Sequence, residues 1–549
     1  MPESLDRRTF LSRGVRTVGG LALLGGAPAA LAACGFGSQS SSASSAGVAH
    51  GTPRRGGTLT FATEEDVGGF DPTRQLWGAA GLLGSRTVYD NLAAVDSSGA
   101  VRPYLAQSIT PNSDYTRWAI TLRPDVVFHD GSPLTAAAVK TNLDALRSAP
   151  LTAPILADIG SVDVLDPATV VVSMHTPWAP FPYHLAGQAG VVVEPRTLLA
   201  GDADHKPVGT GPFVLESWAP GDALTATRNP SYWRRGLPYL DKIEYEPIVD
   251  QRLREDRFTA DMVDMMHSPD TQNVTNLRGD PSWVTIDDNH AKTEPDMDFV
   301  MLNTATSPTD DIRVRQALAH AIDKQKIIDN VRNGIPAKSF GPFPRGSAYH
   351  ASTGYANLDV NKAKALVAQY QTDKGPVSVE LLTENTSKGR QTGKLIRGMW
   401  QKAGVQCHVV QVDRSQLVQR GYQGSFQACT WRQFAAPDPD VNYPWWSAAT
   451  AAPVGVPGLN AARNASAQVQ QALDTARATA DPGARRAAYQ GLARTLASEV
   501  PYLWTNRAIW IVAAQRRVQN FAGATLPSGA KAQPMSRGVI TPTEIWLGP

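Results

Sequence analysis

VRPYLAQSITPNSDYTRWAITLRPDVVFHDGSPLTAAAV, residues 101 to 139, sets out a strand, a turn and a helix in one stretch. Tyr115 to Arg123 alternates and is rich in β-formers, which predicts a strand. Pro124-Asp125 breaks it, and Val126-Val127-Phe128 predicts a second short strand. Asp130-Gly131 is a turn dipeptide in which glycine takes the positive φ. Thr135 is placed to cap a helix that starts at Ala136. Ala138 stands where a capping box would have Glu or Gln, so the cap is one-sided. His129 beside Asp130 invites a catalytic or metal reading. No further His, Cys or carboxylate stands nearby at ligand spacing, and we read His129 as structural.

Outward from this stretch, the chain has 549 residues, which calls for two or three domains. Hydrophobic content of 42% with 19% charged residues is a globular composition. The net charge of +2 is accounted for by residues 1–33, where Arg7, Arg8, Arg13 and Arg16 face only Glu3 and Asp6. A body with balanced charge argues against nucleic acid as a partner.

Strand-like runs at 169–175, 189–195, 241–248 and 405–412 alternate with helical ones, which is an α/β layout. Ile312, Val314, Leu318, Ile322, Ile327, Ile328 and Val331 lie on one helical face, predicting a helix over 311–334 that stops at Asn333-Gly334 and Pro336. Another helix is expected over about 466–498, starting from Asn464 or Ser466 and ending before Pro501. No 20–50-residue repeat is apparent.

The N-terminus reads as an address. DRRTFLSRG at Asp6 precedes an apolar Gly/Ala/Leu run from Val18 to Ala33. Charged, apolar and small residues in that order mark an export signal, and Arg7-Arg8 with Phe10-Leu11 resembles the twin-arginine class. Leu31-Ala32-Ala33-Cys34 resembles a lipobox, which implies acylation of Cys34. A plain transmembrane anchor fits less well, because the run is shorter than a spanning helix needs. Residues 34–53 then form a Ser-rich tether. The expected location is the outer face of the cytoplasmic membrane. Cys407 and Cys429 are the two other cysteines, both in β-like runs; they either pair as a disulfide or remain as two buried thiols.

The opening stretch also carries a resemblance. Pro103, Leu105, Ala106, Leu122, Arg123, Phe128, His129, Asp130, Gly131, Leu134 and Thr135 match the signature of the extracellular solute-binding proteins of family 5. GGTLTFA at Gly56, FDP at Phe70, PVGTGPF at Pro207, RNPSYWRRGLPYLDKIEY at Arg228 and DDIRVRQALAHAIDK at Asp310 follow in the family's order. The resemblance spans about residues 56 to 515. It implies a two-lobed periplasmic-binding-protein type II fold with an extra α/β domain. Lobe one would comprise 54–92, 206–300 and 505–549, the extra domain 93–205, and the other large lobe 301–504. It further implies an ATP-driven importer, with a membrane permease and ATPase subunits as partners. Ligand would bind in a cleft between large lobes that close by hinge motion. A monomer is expected, with no cofactor and no metal.

Chemistry is sparse. No Gly-x-Ser-x-Gly elbow appears, and GRQTGKLI at Gly389 lacks both the length and the Ser or Thr of a P-loop. His175, His184 and His205 are scattered. We expect no catalytic residue. The informative region is GSFQACTWRQFAAPDPDVNYPWW, residues 424–446. Trp431 aligns with the family's cleft tryptophan. Tyr443, Trp445 and Trp446 offer aromatic walls, or pack the core. In the peptide-binding members an aspartate three residues after that tryptophan holds the peptide's ammonium; here the position is Phe434. Asp438, Glu64, Glu65 and Asp66 are the acids that could serve instead, and Asp440, in the turn Asp438-Pro439-Asp440, is a further candidate ligand-binding residue. A less charged solute, such as a sugar or a metal chelate, is the alternative ligand. A sensor or scaffold without transport, and a secreted hydrolase, are the alternative functions.

Overall fold

The computed structural model describes Gly47, residues 51–288 and residues 294–549, which lie within one compact unit, Ser45–Pro549. The export signal, Cys34 and most of the tether lie outside the described residues. Among the described residues no helix is long and apolar enough to cross a membrane.

Three sheets organise the unit. A seven-stranded sheet runs in the order Trp283–Asp287, Ile511–Gln515, Met265–Ser268, Thr58–Thr63, Lys242–Pro247, Ala223–Arg228, Phe213–Ala219. Its central strand, Thr58–Thr63, is parallel to both neighbours. A five-stranded sheet runs Gln406–Val412, Ser378–Glu384, Ala428–Gln433, Met297–Leu302, Tyr502–Arg507. An antiparallel four-stranded sheet runs Ala106–Pro111, Arg117–Leu122, Thr169–Met174, Ile159–Asp166. Each has its own apolar cluster, so burial divides along the sheets. The expected crossings at 300/301 and 504/505 both fall inside strands of the five-stranded sheet.

The opening stretch folds as a strand, a loop and a helix. Trp118, Ile120 and Leu122 point inward from Arg117–Leu122 while their neighbours are more exposed, the alternation of a strand with one buried face. Val126-Val127-Phe128 is not a ladder strand: Val126 and Phe128 are buried, and Val127 makes a single bridge to Pro133. Gly131 has φ +83°. Thr135 caps the helix Ala136–Ser148 by accepting from Ala138 N–H at 3.3 Å.

His129 explains why two distant motifs belong together. Its amide donates to Gly209 O at 2.8 Å, its Nδ1 accepts from Gly209 N–H at 3.3 Å, and its Nε2 donates to Gly211 O at 3.1 Å. A Cβ on Gly209 would lie 2.2 Å from Val88 O, and one on Gly211 2.4 Å from Val88 C. Glycine alone permits that approach. Burial pushes the imidazole down to about 4, which favours the neutral ring, and the Gly209 N–H on Nδ1 is what assigns the proton to Nε2.

Two helices read as continuous are broken. The first is Ile312–Ala321 followed by Lys324–Val331, with Asp323 capping the second by accepting from Lys326 N–H at 3.0 Å. The other is Ala467–Arg477 followed by Pro482–Glu499, capped by Asp481 with proline at the first helical position. The run 189–195 is not a strand; Gln188–Gly190 is a 3₁₀ turn and Val191 makes one bridge to Asn91.

Cys407 and Cys429 are free. They sit on opposite neighbours of Ser378–Glu384, with Cys407 facing Val379 and Cys429 facing Leu382. Two strand spacings of about 4.8 Å already separate them beyond the ~7 Å limit for Cα atoms. The disulfide alternative is thereby corrected to two buried thiols.

Candidate functional site

A cavity of about 770 Å³ lies between the seven-stranded and five-stranded sheets. Glu64, Glu65, Trp77 and Trp510 line it from the chain beside the first, and Trp431, on a strand of the second, lines it together with Phe434, Tyr422 and Trp445 from the chain beside that sheet. Tyr183, His184 and Gln188 contribute from the chain around the four-stranded sheet.

The aromatic wall begins at Trp431, on the strand Ala428–Gln433. Its ring centroid lies 6.2 Å from Tyr422 in an edge contact. Tyr422 stacks on Trp445 at 6.0 Å and 25°, and Trp445 meets Phe434 edge-on at 6.3 Å. These offset and edge geometries suit aromatic quadrupoles and leave ring area facing the cavity. Gly421, on the helix Arg414–Gln423, makes the wall possible, because a Cβ there would lie 2.8 Å from the Trp431 ring.

Charge lines the cleft in pairs. Asp298 accepts from Arg432 Nε at 2.8 Å and faces an Arg332 Nη at 2.9 Å. Burial alone would raise its carboxyl; the two guanidiniums outweigh that and hold it at about 2. Asp296 accepts from the Ala435 amide and from Trp510 Nε1. Lys388 meets Asp270. Glu64 meets His267; burial would raise Glu64, but His267 and Arg254 hold it below the usual range. Glu65 lies 3.3 Å from Arg414, and its carboxyl is raised because burial outweighs that partner. Arg86 lines the same cavity with no hydrogen bond or ion pair among the described residues, and burial pushes its guanidinium down to about 10.

The structure therefore brings Trp431, Phe434, Trp445, Glu64 and Glu65 to one cavity and sends the other expected site residues elsewhere. Asp438 is buried and held by both carboxylate oxygens to Arg485 Nη2, at 2.6 and 2.7 Å. Asp440 is fully buried and accepts from Trp178 Nε1 at 2.7 Å, His184 at 2.9 Å and Arg477 at 2.9 and 3.2 Å. Neither lines the cavity, and each already holds a buried guanidinium, so their contacts are those of structural anchors. Asp66 fastens a loop, accepting from Gly68 N, Trp218 Nε1 and Gly221 N. Tyr443 donates to Asp474 and lies under the Arg477 guanidinium at 3.4 Å. Trp446 is core, packed edge-on to Phe343. Sequence reasoning missed Tyr422, Gly421, Trp77, Trp510, Arg86 and Arg537; no motif marks them, and only the fold gathers them.

Comparison with known proteins bears on this arrangement. The model of the bacterial extracellular solute-binding proteins, family 5, matches residues 100–453. The glutathione-binding protein GsiB of Salmonella typhimurium is 26% identical over 337 residues, 60% of this chain and 65% of that protein. The chain thus spans 65% of the length of the curated relatives it matches first, and these are binding proteins rather than enzymes. The binding protein AgaA of A. tumefacien R10, solved with agropinic acid, superposes with a TM-score of 0.78 at 23% identity, covering 90% of this chain and 99% of that one. DppA of Helicobacter pylori, an ABC transporter-associated periplasmic binding protein solved with the peptide STSA, gives 0.77 at 21% identity over 90% and 98%. The fold is the two-lobed α/β architecture of these binding proteins, with the four-stranded sheet as its additional part. With well over half its length matched by that one model, the chain belongs to the bacterial extracellular solute-binding proteins of family 5.

Proposed function

We propose that this protein is the lipid-anchored substrate-binding component of an ATP-driven importer, taking a small polar, peptide-like solute into the cleft and delivering it to a membrane permease with its ATPase subunits. The observation that supports this is the cavity itself. Its volume, about 770 Å³, suits a small solute, and its walls come from two separate sheets that a hinge could bring together. The lining joins an aromatic face to a few fixed charges, which would give orientation and selectivity. The lobes follow strand membership. Lobe crossings are put between Asp287 and Met297 and between Arg507 and Ile511, in place of 300 and 504. Anchoring through Cys34, export, and catalysis-free action belong to the same reading and rest on the N-terminal pattern and the kind of relatives matched.

The experiment is a thermal-shift screen of the protein against di- and tripeptides, glutathione, amino sugars and nickel–histidine chelates. A solute at 100 times its Kd adds ~2.7 kcal/mol to stability, a readily measured rise in midpoint. Failure of every class to raise it counts against the receptor reading.

A further inference from the structure

Phe434 and Arg537 meet across the cleft. Phe434 follows the strand Ala428–Gln433 of the five-stranded sheet, whereas Arg537 comes from the segment after the strand Ile511–Gln515 of the seven-stranded sheet. The Arg537 guanidinium lies 4.3 Å from the Phe434 ring centroid, and both residues line the cavity. The position three residues after Trp431 thus presents a cation on an aromatic ring.

The backbone under Arg537 is unusual. Ser536 N donates to Val539 O at 3.0 Å and Val539 N to Ser536 O at 2.9 Å, closing a two-residue hairpin. Its two central residues, Arg537 and Gly538, have φ +56° and +74°. Positive φ at both places is the type I′ pattern, which strongly prefers Asn-Gly. Gly538 cannot be otherwise: a Cβ would lie 2.6 Å from Trp510, and its carbonyl accepts from His267 Nδ1 at 3.0 Å. Arginine at the first place is strained, and a strained residue at a cleft is a reason to look for a function.

Arg537 is also short of partners. Its Nε is buried with no hydrogen bond, and no hydrogen bond reaches it among the described residues. Its one ion-pair contact there is Asp296, at 3.8 Å. Asp296 is already occupied by the Ala435 amide, Trp510 Nε1 and, at 3.8 Å, Arg432. The nearby acids Glu64 and Glu65 have His267 and Arg414. A buried guanidinium with free donors in a half-desolvated corner is costly unless an anion completes it. Arg86, likewise without a hydrogen bond or ion pair among the described residues, adds a further positive group to the same cavity. Glu384 also lines the cavity without a partner among the described residues and is left for any cationic group a ligand carries.

We propose that the Phe434–Arg537 corner receives a carboxylate of the solute, so that the transported class is defined by an acid group and does not require a free α-ammonium there. This rests on the receptor reading and narrows it. Recognition would be a fork of N–H donors from Arg537 onto two carboxylate oxygens, with Phe434 excluding water behind it.

The test pairs acids with partners that lack the carboxylate on two scaffolds: trialanine and N-acetyl-trialanine against trialanine amide, and galacturonate against galactose, each titrated calorimetrically into the full-length protein. The expected result is that N-acetyl-trialanine binds about as well as trialanine. The amide, and galactose against galacturonate, should bind about tenfold or more weakly, the scale of one charge-assisted hydrogen bond. Arg537→Asn should abolish the acid preference while leaving the ligand-free unfolding midpoint unchanged or higher, because asparagine suits the turn. Arg537→Lys, which keeps the charge without the fork, should retain part of the preference. Equal binding of the acids and of the partners without a carboxylate would overturn the proposal, as would an acid preference that survives Arg537→Asn. So would binding of trialanine but not its N-acetyl form. If none of the five binds, this proposal is overturned, and the receptor reading then stands or falls with the wider screen of solute classes; any of the other adverse results leaves that reading standing.

Discussion

Replacing Asp440 by asparagine removes one charge and almost no volume, which isolates what the buried carboxylate does. Asp440 gathers Trp178 and His184, which follow the four-stranded sheet, onto Arg477 at the end of the helix Ala467–Arg477. All four contacts lie between 2.7 and 3.2 Å in a site without solvent. Removing one partner of such a buried pair costs about 3–5 kcal/mol. Arg477 would keep Asp158, at 2.5 Å, and the faces of Trp178 and Tyr443 at 4.3 and 3.4 Å. The low end, ~3 kcal/mol, is therefore expected for Asp440→Asn. Arg477→Met alone should cost a similar ~3 kcal/mol, and the double variant much less than the sum, giving a coupling of about 2–3 kcal/mol. The assay is urea unfolding at pH 7 followed by tryptophan fluorescence, with all variants read on the same transition. Burial would raise the Asp440 carboxyl, but Arg477 and His184 outweigh it and hold it far below its unfolded value near 4. That contribution is full above about pH 4 and falls as pH drops further, so the asparagine variant should lack it. A coupling under about 0.5 kcal/mol would refute the reasoning.

Other expectations concern single contacts. His129, held at about 4 when folded against 6.5 when unfolded, contributes stability that is full above pH 6.5 and declines toward pH 4. The decline is ~3 kcal/mol, and urea midpoints at pH 7 and pH 4 should show it reduced in His129→Gln. Gly421→Ala would set a methyl 2.8 Å from the Trp431 ring, so it should cost about 1–3 kcal/mol in stability and weaken solute binding, measured by unfolding and titration on the same sample. Burial pushes the Cys407 thiol up to about 11 and raises Cys429 as well. Iodoacetamide should therefore label neither thiol before denaturation and both afterwards, and dithiothreitol should leave the melting midpoint unchanged.

What could be read from the sequence was what local rules govern. Arg117–Leu122 alternates because one face is buried, and Thr135 caps because its hydroxyl reaches Ala138 N–H; both are written in neighbouring residues. The broken helices were missed for a related reason. The apolar face continues past Asp323 and Asp481, so periodicity hides caps that the aspartates in fact supply. The places of Asp438 and Asp440 were not legible because their partners are remote in sequence: Arg477 stands 37 residues from Asp440 and Arg485 stands 47 from Asp438. An aspartate in a Pro-rich turn looks the same whether it awaits a ligand or is already bound. Arg537 was invisible for the converse reason. Its turn is marked only by one glycine, and its partner across the cleft, Phe434, follows a strand of another sheet.

The central claim is that the cavity walled by Trp431, Tyr422, Trp445 and Phe434 holds one small solute. The most direct measurement is to denature the purified full-length protein, identify released small molecules by mass spectrometry, and titrate the recovered compound back calorimetrically. The account predicts one solute per chain, rebinding at a single site, and binding at least about tenfold weaker in Trp431→Ala, the scale of a buried aromatic contact. Absence of any released or rebinding solute, or rebinding that Trp431→Ala leaves unchanged, would contradict it.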